Sequence, residues 1–265
     1  MMTTLETVTS TDGTRIAVER RGDGPPLILI GGAFNDRSTV AALAVTLAPY
    51  VTAVTYDRRG RGDSGGGDDY TLERELEDLA AVIGHAGGSA SLFGHSSGAV
   101  LALEATQRGL AVEKLAVYEP SYVIEGSRPR PGADIGDRLL ALLGQGRRDE
   151  AAELFLRESV GVPAEMVEGM RNSPAWAWFT GLAHTLPYDV AVCGPGCALP
   201  ADRLATITAP TLAVAGDQSP EWLRTATRAV ADAIPGARHA VLEGQDHGVL
   251  NQPEALRPLL RDFLS

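Results

Sequence analysis

Cysteine is scarce. Cys193 and Cys197 are the only two in 265 residues, too few for a disulfide framework. Lysine is almost missing: Lys114 stands alone among 23 basic residues, a bias that suggests a GC-rich genome and carries no chemistry. Acidic residues number 34, so the formal net charge is −11. The densest basic cluster, Arg58, Arg59 and Arg61, is flanked by Asp57 and Asp63. Nucleic acid is therefore not an expected partner, because phosphate binding needs a clustered basic surface. No apolar run approaches the roughly 18 residues that span a bilayer. The segment from Met1 to Glu6 lacks the basic and apolar regions of a signal peptide, so no membrane partner and a cytoplasmic location are expected. Cys193-Gly194-Pro195-Gly196-Cys197 has no companion ligands and no HExxH motif occurs, so no metal is expected. Gly60-Arg61-Gly62 lacks the third glycine and the helix start of a dinucleotide fingerprint, and no other cofactor motif is present.

What is present has a globular balance: 44% apolar and 22% charged residues, with 30 glycines and 16 prolines, well below a low-complexity composition. Apolar and β-branched runs read as strands at Leu27–Ile30, Val51–Tyr56, Ser89–Phe93, Leu115–Tyr118, Thr211–Ala215 and Ala237–Leu242. A glycine-rich loop through Gly67 follows the second run. Between the runs lie helical patterns. Leu72, Leu76, Leu79 and Ile83 recur at helical spacing, Ala99–Gln107 is a small-residue helix, and Glu221–Ile234 stands behind Ser219-Pro220 as cap and first turn. Pro253–Leu264 reads as a last helix. Strands alternating with helices imply a mostly parallel sheet covered on both faces. From 121 to 202 the alternation stops, and the stretch reads as helices and loops at Leu139–Leu143, Glu150–Glu158 and Trp176–Phe179. The expected organisation is one α/β core, residues 1–120 and 203–265, with a helical cap of residues 121–202 inserted between two strands of the sheet.

Gly94-His95-Ser96-Ser97-Gly98 matches G-x-S-x-G with a strand before it and a helix after it. Such a turn lifts a serine oxygen above the sheet edge, and the flanking glycines let neighbouring backbone approach closely. Here the chain resembles the α/β-hydrolase fold family over nearly its whole length. Gly31-Gly32-Ala33-Phe34 stands where that family has its oxyanion loop, and Asp57-Arg58-Arg59-Gly60-Arg61-Gly62-Asp63-Ser64 is similar to its D-x-R-G-x-G-x-S loop. The latter is expected to brace the elbow rather than to react. A serine hydroxyl needs a base. Among five histidines, His247 lies just after the last strand, where the family carries its base; His95 is expected to support packing, and His184 belongs to the cap.

The carboxylate that orients the base has two candidates. Asp217, in Gly216-Asp217-Gln218-Ser219-Pro220, lies two residues before the family's common position, which Ser219 occupies. Glu119, in Tyr118-Glu119-Pro120, ends the preceding strand, the sixth of the fold. That placement resembles the zearalenone-lactone hydrolases, and Glu119 is favoured with Asp217 kept as the alternative. The resemblance implies Ser97 and Ala33 N–H groups as oxyanion donors. Gly32, Phe34, Trp176, Trp178 and Tyr188 are the candidate substrate contacts, the aromatics reading equally well as the cap's own core. The expected activity is cleavage of a hydrophobic small-molecule ester or lactone without a cofactor. C–C bond hydrolysis or another tailoring reaction with the same three residues, and a ligand-binding protein without turnover, are the rivals.

Overall fold

The computed structural model describes residues 5–66 and 70–265. The segment 1–4 and the end of the glycine-rich loop, residues 67–69, lie outside the described residues. Eight strands form one sheet: β1 (Leu5–Thr9), β2 (Arg15–Arg21), β3 (Pro26–Ile30), β4 (Thr52–Tyr56), β5 (Ala90–His95), β6 (Val112–Tyr118), β7 (Thr211–Gly216) and β8 (Arg238–Leu242). Their order is β1-β2-β4-β3-β5-β6-β7-β8. The first two pairings, β1 with β2 and β2 with β4, are antiparallel; from β4 to β8 every pairing is parallel. The helices are α1 (Ala41–Leu47), α2 (Leu72–Ala86), α3 (Ser97–Gln107), α4 (Ile135–Gly144), α5 (Arg148–Leu154), α6 (Ala164–Arg171), α7 (Trp176–Leu182), α8 (Leu186–Cys193), α9 (Ala201–Leu204), α10 (Glu221–Ala233) and α11 (Arg257–Leu264).

The two faces of the sheet follow from the two-residue period of a strand. In β3, Ile28 and Ile30 join a core built with α2, α3 and α10, while Leu27 and Leu29 face α1 and α11. In β6, Leu115 and Val117 take the first face, Ala116 and Tyr118 the second. Strands covered on both sides must be apolar throughout, which is why β3 and β7 read as unbroken runs. The hairpin β1–β2, absent from the sequence reading, is half exposed and carries Glu6, Glu19, Arg20 and Arg21. Helix α2 starts as its sequence dictates: the Thr71 hydroxyl accepts the Arg74 N–H at 3.2 Å, and Glu73 and Glu75 sit in the first turn. Helix α10 does not. The chain enters it from Pro220 in an extended conformation with no side-chain cap, and the buried Ser219 hydroxyl, one residue too early, has no partner among the described residues.

Between β6 and β7 the chain makes helices α4 to α9 and a π-helical turn, Phe155–Val160. This segment has its own core, in which Ile135, Leu139, Ala151, Phe155, Leu186 and Trp176 pack with Phe34 from the loop after β3. No helix among the described residues is long and apolar enough to cross a membrane.

Candidate active site

Ser96 sits at the β5–α3 turn with φ 58° and ψ −122°, a region that costs a non-glycine residue about 1–3 kcal/mol. The neighbouring glycines make the turn possible. A Cβ on Gly94 would lie 2.5 Å from Gly98 O, one on Gly98 would lie 2.5 Å from Ile30 O, and one on Gly32 would lie 2.7 Å from Ser96 Cβ. The Ser96 N–H is fixed to Tyr118 O at 3.0 Å. Among the described residues, the non-glycine residues with positive φ are Phe34, Ser96, Glu119 and Cys197, and all four surround one cavity or the groups that open on it. Backbone strain concentrated in one place points to function there.

The His247 imidazole bridges two of these groups. Its Nδ1 lies 2.6 Å from Glu119 Oε2 and its Nε2 lies 3.2 Å from Ser96 Oγ. Glu119 is fully buried, and its other oxygen accepts the Gly216 N–H at 2.8 Å. A buried carboxylate on Nδ1 makes that nitrogen the protonated one and leaves Nε2 as an acceptor for the serine proton. Asp217 lies elsewhere: its Oδ1 accepts the Gly244 N–H at 2.7 Å and so braces the loop that carries His247. The same loop is held by Tyr118 OH on Asp246 O at 2.7 Å, and by His95 Nε2–H on His247 O at 2.9 Å. Burial first, and then the neighbouring His247, push the His95 imidazole down to about 3, so His95 is a neutral donor across the working range. A second hydroxyl, missed in the sequence, touches the serine: Ser121 Oγ is 3.0 Å from Ser96 Oγ.

Ala33 and Ser97 both line the cavity, and neither N–H donates to a protein acceptor among the described residues. Below them lies a buried ionic cluster. Arg58 bonds Glu75, and its Nη1 donates to Asp189 Oδ1 at 2.9 Å and Ser97 Oγ at 3.3 Å. Arg61 donates to Gly32 O at 2.5 Å and to both oxygens of Asp189 at 2.9 Å. Burial opposes ionisation of Asp189, but the Arg61 and Arg58 guanidiniums and the Ser97 hydroxyl hold its carboxyl below the usual range. The Asp57–Ser64 loop thus ties the loop after β3, the elbow and α8 together.

The cavity is about 600 Å³, bounded on the sheet side by Ser96, His247 and Leu223 and on the helical side by Phe155, Val160, Phe179 and Val190. Phe34 and Trp178 line it. Phe34 packs edge-on against Phe155 and Phe179, and Trp178 donates its indole N–H to Phe34 O at 2.7 Å. Gly32 lies behind Ser96 and makes room for it. Three of the candidate substrate contacts do not line the cavity, Gly32 among them because it packs against the back of Ser96. Trp176 turns its indole N–H to Asp149 at 2.7 Å in the core of the helical segment, and Tyr188 stacks on Tyr70 at 4.0 Å; neither lines the cavity. In α8 the residues facing the cavity are Asp189, Val190, Ala191 and Cys193, the last free and buried beside the free Cys197. No group of three histidine, cysteine or carboxylate side chains is gathered as metal ligands among the described residues.

A family model described as alpha/beta hydrolase family matches residues 27–259. The crystal structure of an alpha/beta hydrolase from Sphaerobacter thermophilus DSM 20745 is 49% identical, with a TM-score of 0.93 over 98% of this chain and 100% of that one. The enol-lactonase from Burkholderia xenovorans LB400, at 18% identity, shares the fold with a TM-score of 0.76 over 98% of this chain and 99% of its own. The uncharacterized hydrolase YraK of Bacillus subtilis (strain 168) is 34% identical over 96 residues, a stretch that is 35% of this chain and 35% of that protein.

Proposed function

The chain belongs to the alpha/beta hydrolase family, and from that premise we propose that it is a serine hydrolase cleaving an ester or lactone bond of a hydrophobic small molecule, with Ser96, His247 and Glu119 as its working residues. The observation that carries the reading is the unbroken hydrogen-bond chain Glu119–His247–Ser96, opening into an apolar cavity. Ser96 Oγ attacks the carbonyl carbon as its proton passes to His247 Nε2. Glu119 holds the tautomer and stabilises the imidazolium that forms. The Ala33 and Ser97 N–H groups receive the developing oxyanion, preorganised because no protein acceptor competes for them. His247 returns the proton to the leaving oxygen, and water then releases the acyl group by the same steps in reverse order.

Lactones are the favoured class within this reading. The carboxylate after β6 resembles the arrangement in zearalenone-lactone hydrolases, and a cavity of about 600 Å³ suits a ligand of drug-like size. The test is intact mass after treatment with a serine-reactive fluorophosphonate, wild type beside Ser96→Ala. One adduct on the wild type and none on the variant is expected. A folded wild type that stays unlabelled overturns the reading in favour of ligand binding without turnover.

A further inference from the structure

Ser121 stands out because nothing in the scheme above uses it. Its hydroxyl lies 3.0 Å from Ser96 Oγ, it lines the cavity, and it comes from the turn that also carries Glu119. That turn is over-determined. Glu119 N–H donates to Val214 O at 3.0 Å, Tyr122 N–H to Pro120 O at 2.8 Å, and Val123 N–H to Cys197 O at 2.8 Å. The Tyr122 bond makes Ser121 the apex of a three-residue turn. Tyr122 and Val123 behind it are buried. A hydroxyl fixed this firmly beside a nucleophile is preorganised, and preorganisation is what makes a hydrogen bond useful to a reaction.

The proton count fixes its direction. His247 Nδ1–H is committed to Glu119 and Nε2 accepts from Ser96, so the Ser121 O–H is the donor to Ser96 Oγ. Once Ser96 Oγ is bonded to the acyl carbon it becomes a poor acceptor, and the Ser121 O–H is released. We infer that Ser121 is a further catalytic residue, whose hydroxyl then binds the oxygen across the acyl carbon: the leaving alkoxide oxygen in the first half-reaction and the attacking water in the second. The two oxygens occupy the same place by microscopic reversibility, within reach of His247 Nε2. In the second half-reaction the water oxygen bonds the acyl carbon, its proton goes to His247 Nε2, the Ser96 Oγ–carbon bond breaks, and that proton passes to Ser96.

This inference rests on the proposed hydrolase reading, and its test separates the two. p-Nitrophenyl butyrate has a leaving group that needs no help, so acylation is insensitive to Ser121 while deacylation still needs an oriented water. With Ser121→Ala, the stopped-flow burst should keep its rate within about twofold, and the steady rate should fall roughly three- to tenfold, the effect of one hydrogen bond. Acyl-enzyme should accumulate by intact mass, and Ser121→Thr, which keeps the hydroxyl, should restore turnover. A merely structural role would slow burst and steady phases together, and that result, or no change in either, overturns the inference while leaving the hydrolase reading intact. An unlabelled, inactive wild type overturns both.

Discussion

Sequence position favours Glu119 over Asp217 without separating them, because the two carboxylates follow neighbouring parallel strands, β6 and β7. The geometry supports Glu119 as the acid of the proposed mechanism. Glu119 takes φ 47°, is fully buried and has one oxygen on His247 Nδ1, while Asp217 is half-buried with its oxygen on a loop N–H. Glu119→Gln should lower kcat by about two to four orders of magnitude, since an amide cannot stabilise the imidazolium and offers Nδ1 the wrong tautomer. Asp217→Asn keeps an oxygen for Gly244 N–H and should stay within about threefold. Steady-state rates on a p-nitrophenyl ester check both, and equal rates for Glu119→Gln and wild type would remove Glu119 from the mechanism. Ser96 and His247 were legible because a motif and a strand end mark them. Ser121 was not, because a hydroxyl two residues after a strand carries no pattern until the turn around it is known.

Burial made most of the strands legible, although the half-exposed β8 also reads as an apolar run. Strands β3 to β7 are covered on both faces and announce themselves as apolar runs, whereas β1 and β2 are half exposed, mix charge with valine, and gave no signal. In the helical segment α6 and α8 escaped notice: only Val167 of α6 is buried, and α8 is apolar almost all round, so it lacks a polar face to set a period. Without the α8 period, sequence alone puts Tyr188 at the cavity and gives Asp189 no partner to mark it. That residue stitches α8 to Arg58 and Arg61, reaches the Gly32 carbonyl through Arg61, and accepts the Ser97 hydroxyl directly at 2.7 Å. Asp189→Asn leaves two buried guanidiniums with one carboxylate fewer, a defect that typically costs about 3–5 kcal/mol. Arg58 keeps Glu75, so about 3 kcal/mol is the expected loss. Urea unfolding at an unchanged m-value would read it, and a loss below about 1 kcal/mol would mean that the cluster contributes little to holding α8.

At the scale of the whole molecule, the proposed hydrolase reading makes charge the filter on which esters would reach Ser96. The chain carries a net charge of −11, and no lysine or arginine lines the cavity among the described residues. Of the two carboxylates on its wall, Asp189 is neutralised by two arginines, and Asp137 is exposed at the start of α4. A negatively charged substrate is therefore repelled at long range and meets no cation inside, while a neutral one feels neither effect. p-Nitrophenyl butyrate should exceed the hemisuccinate ester of similar length by at least about tenfold in kcat/KM at low salt. Raising the salt from about 20 mM to 300 mM shortens the Debye length from roughly 20 Å to under 10 Å. That should narrow the gap severalfold by quickening the anionic ester alone, leaving the neutral one flat. A preference for the anionic ester would instead mean that a cation reaches the bound substrate. Arg128, which lies 4.2 Å over the cavity-lining Trp222 and has no carboxylate partner among the described residues, would then be the side chain to replace. Loss of the anionic activity in Arg128→Gln, with the neutral activity kept, would trace that preference to its guanidinium.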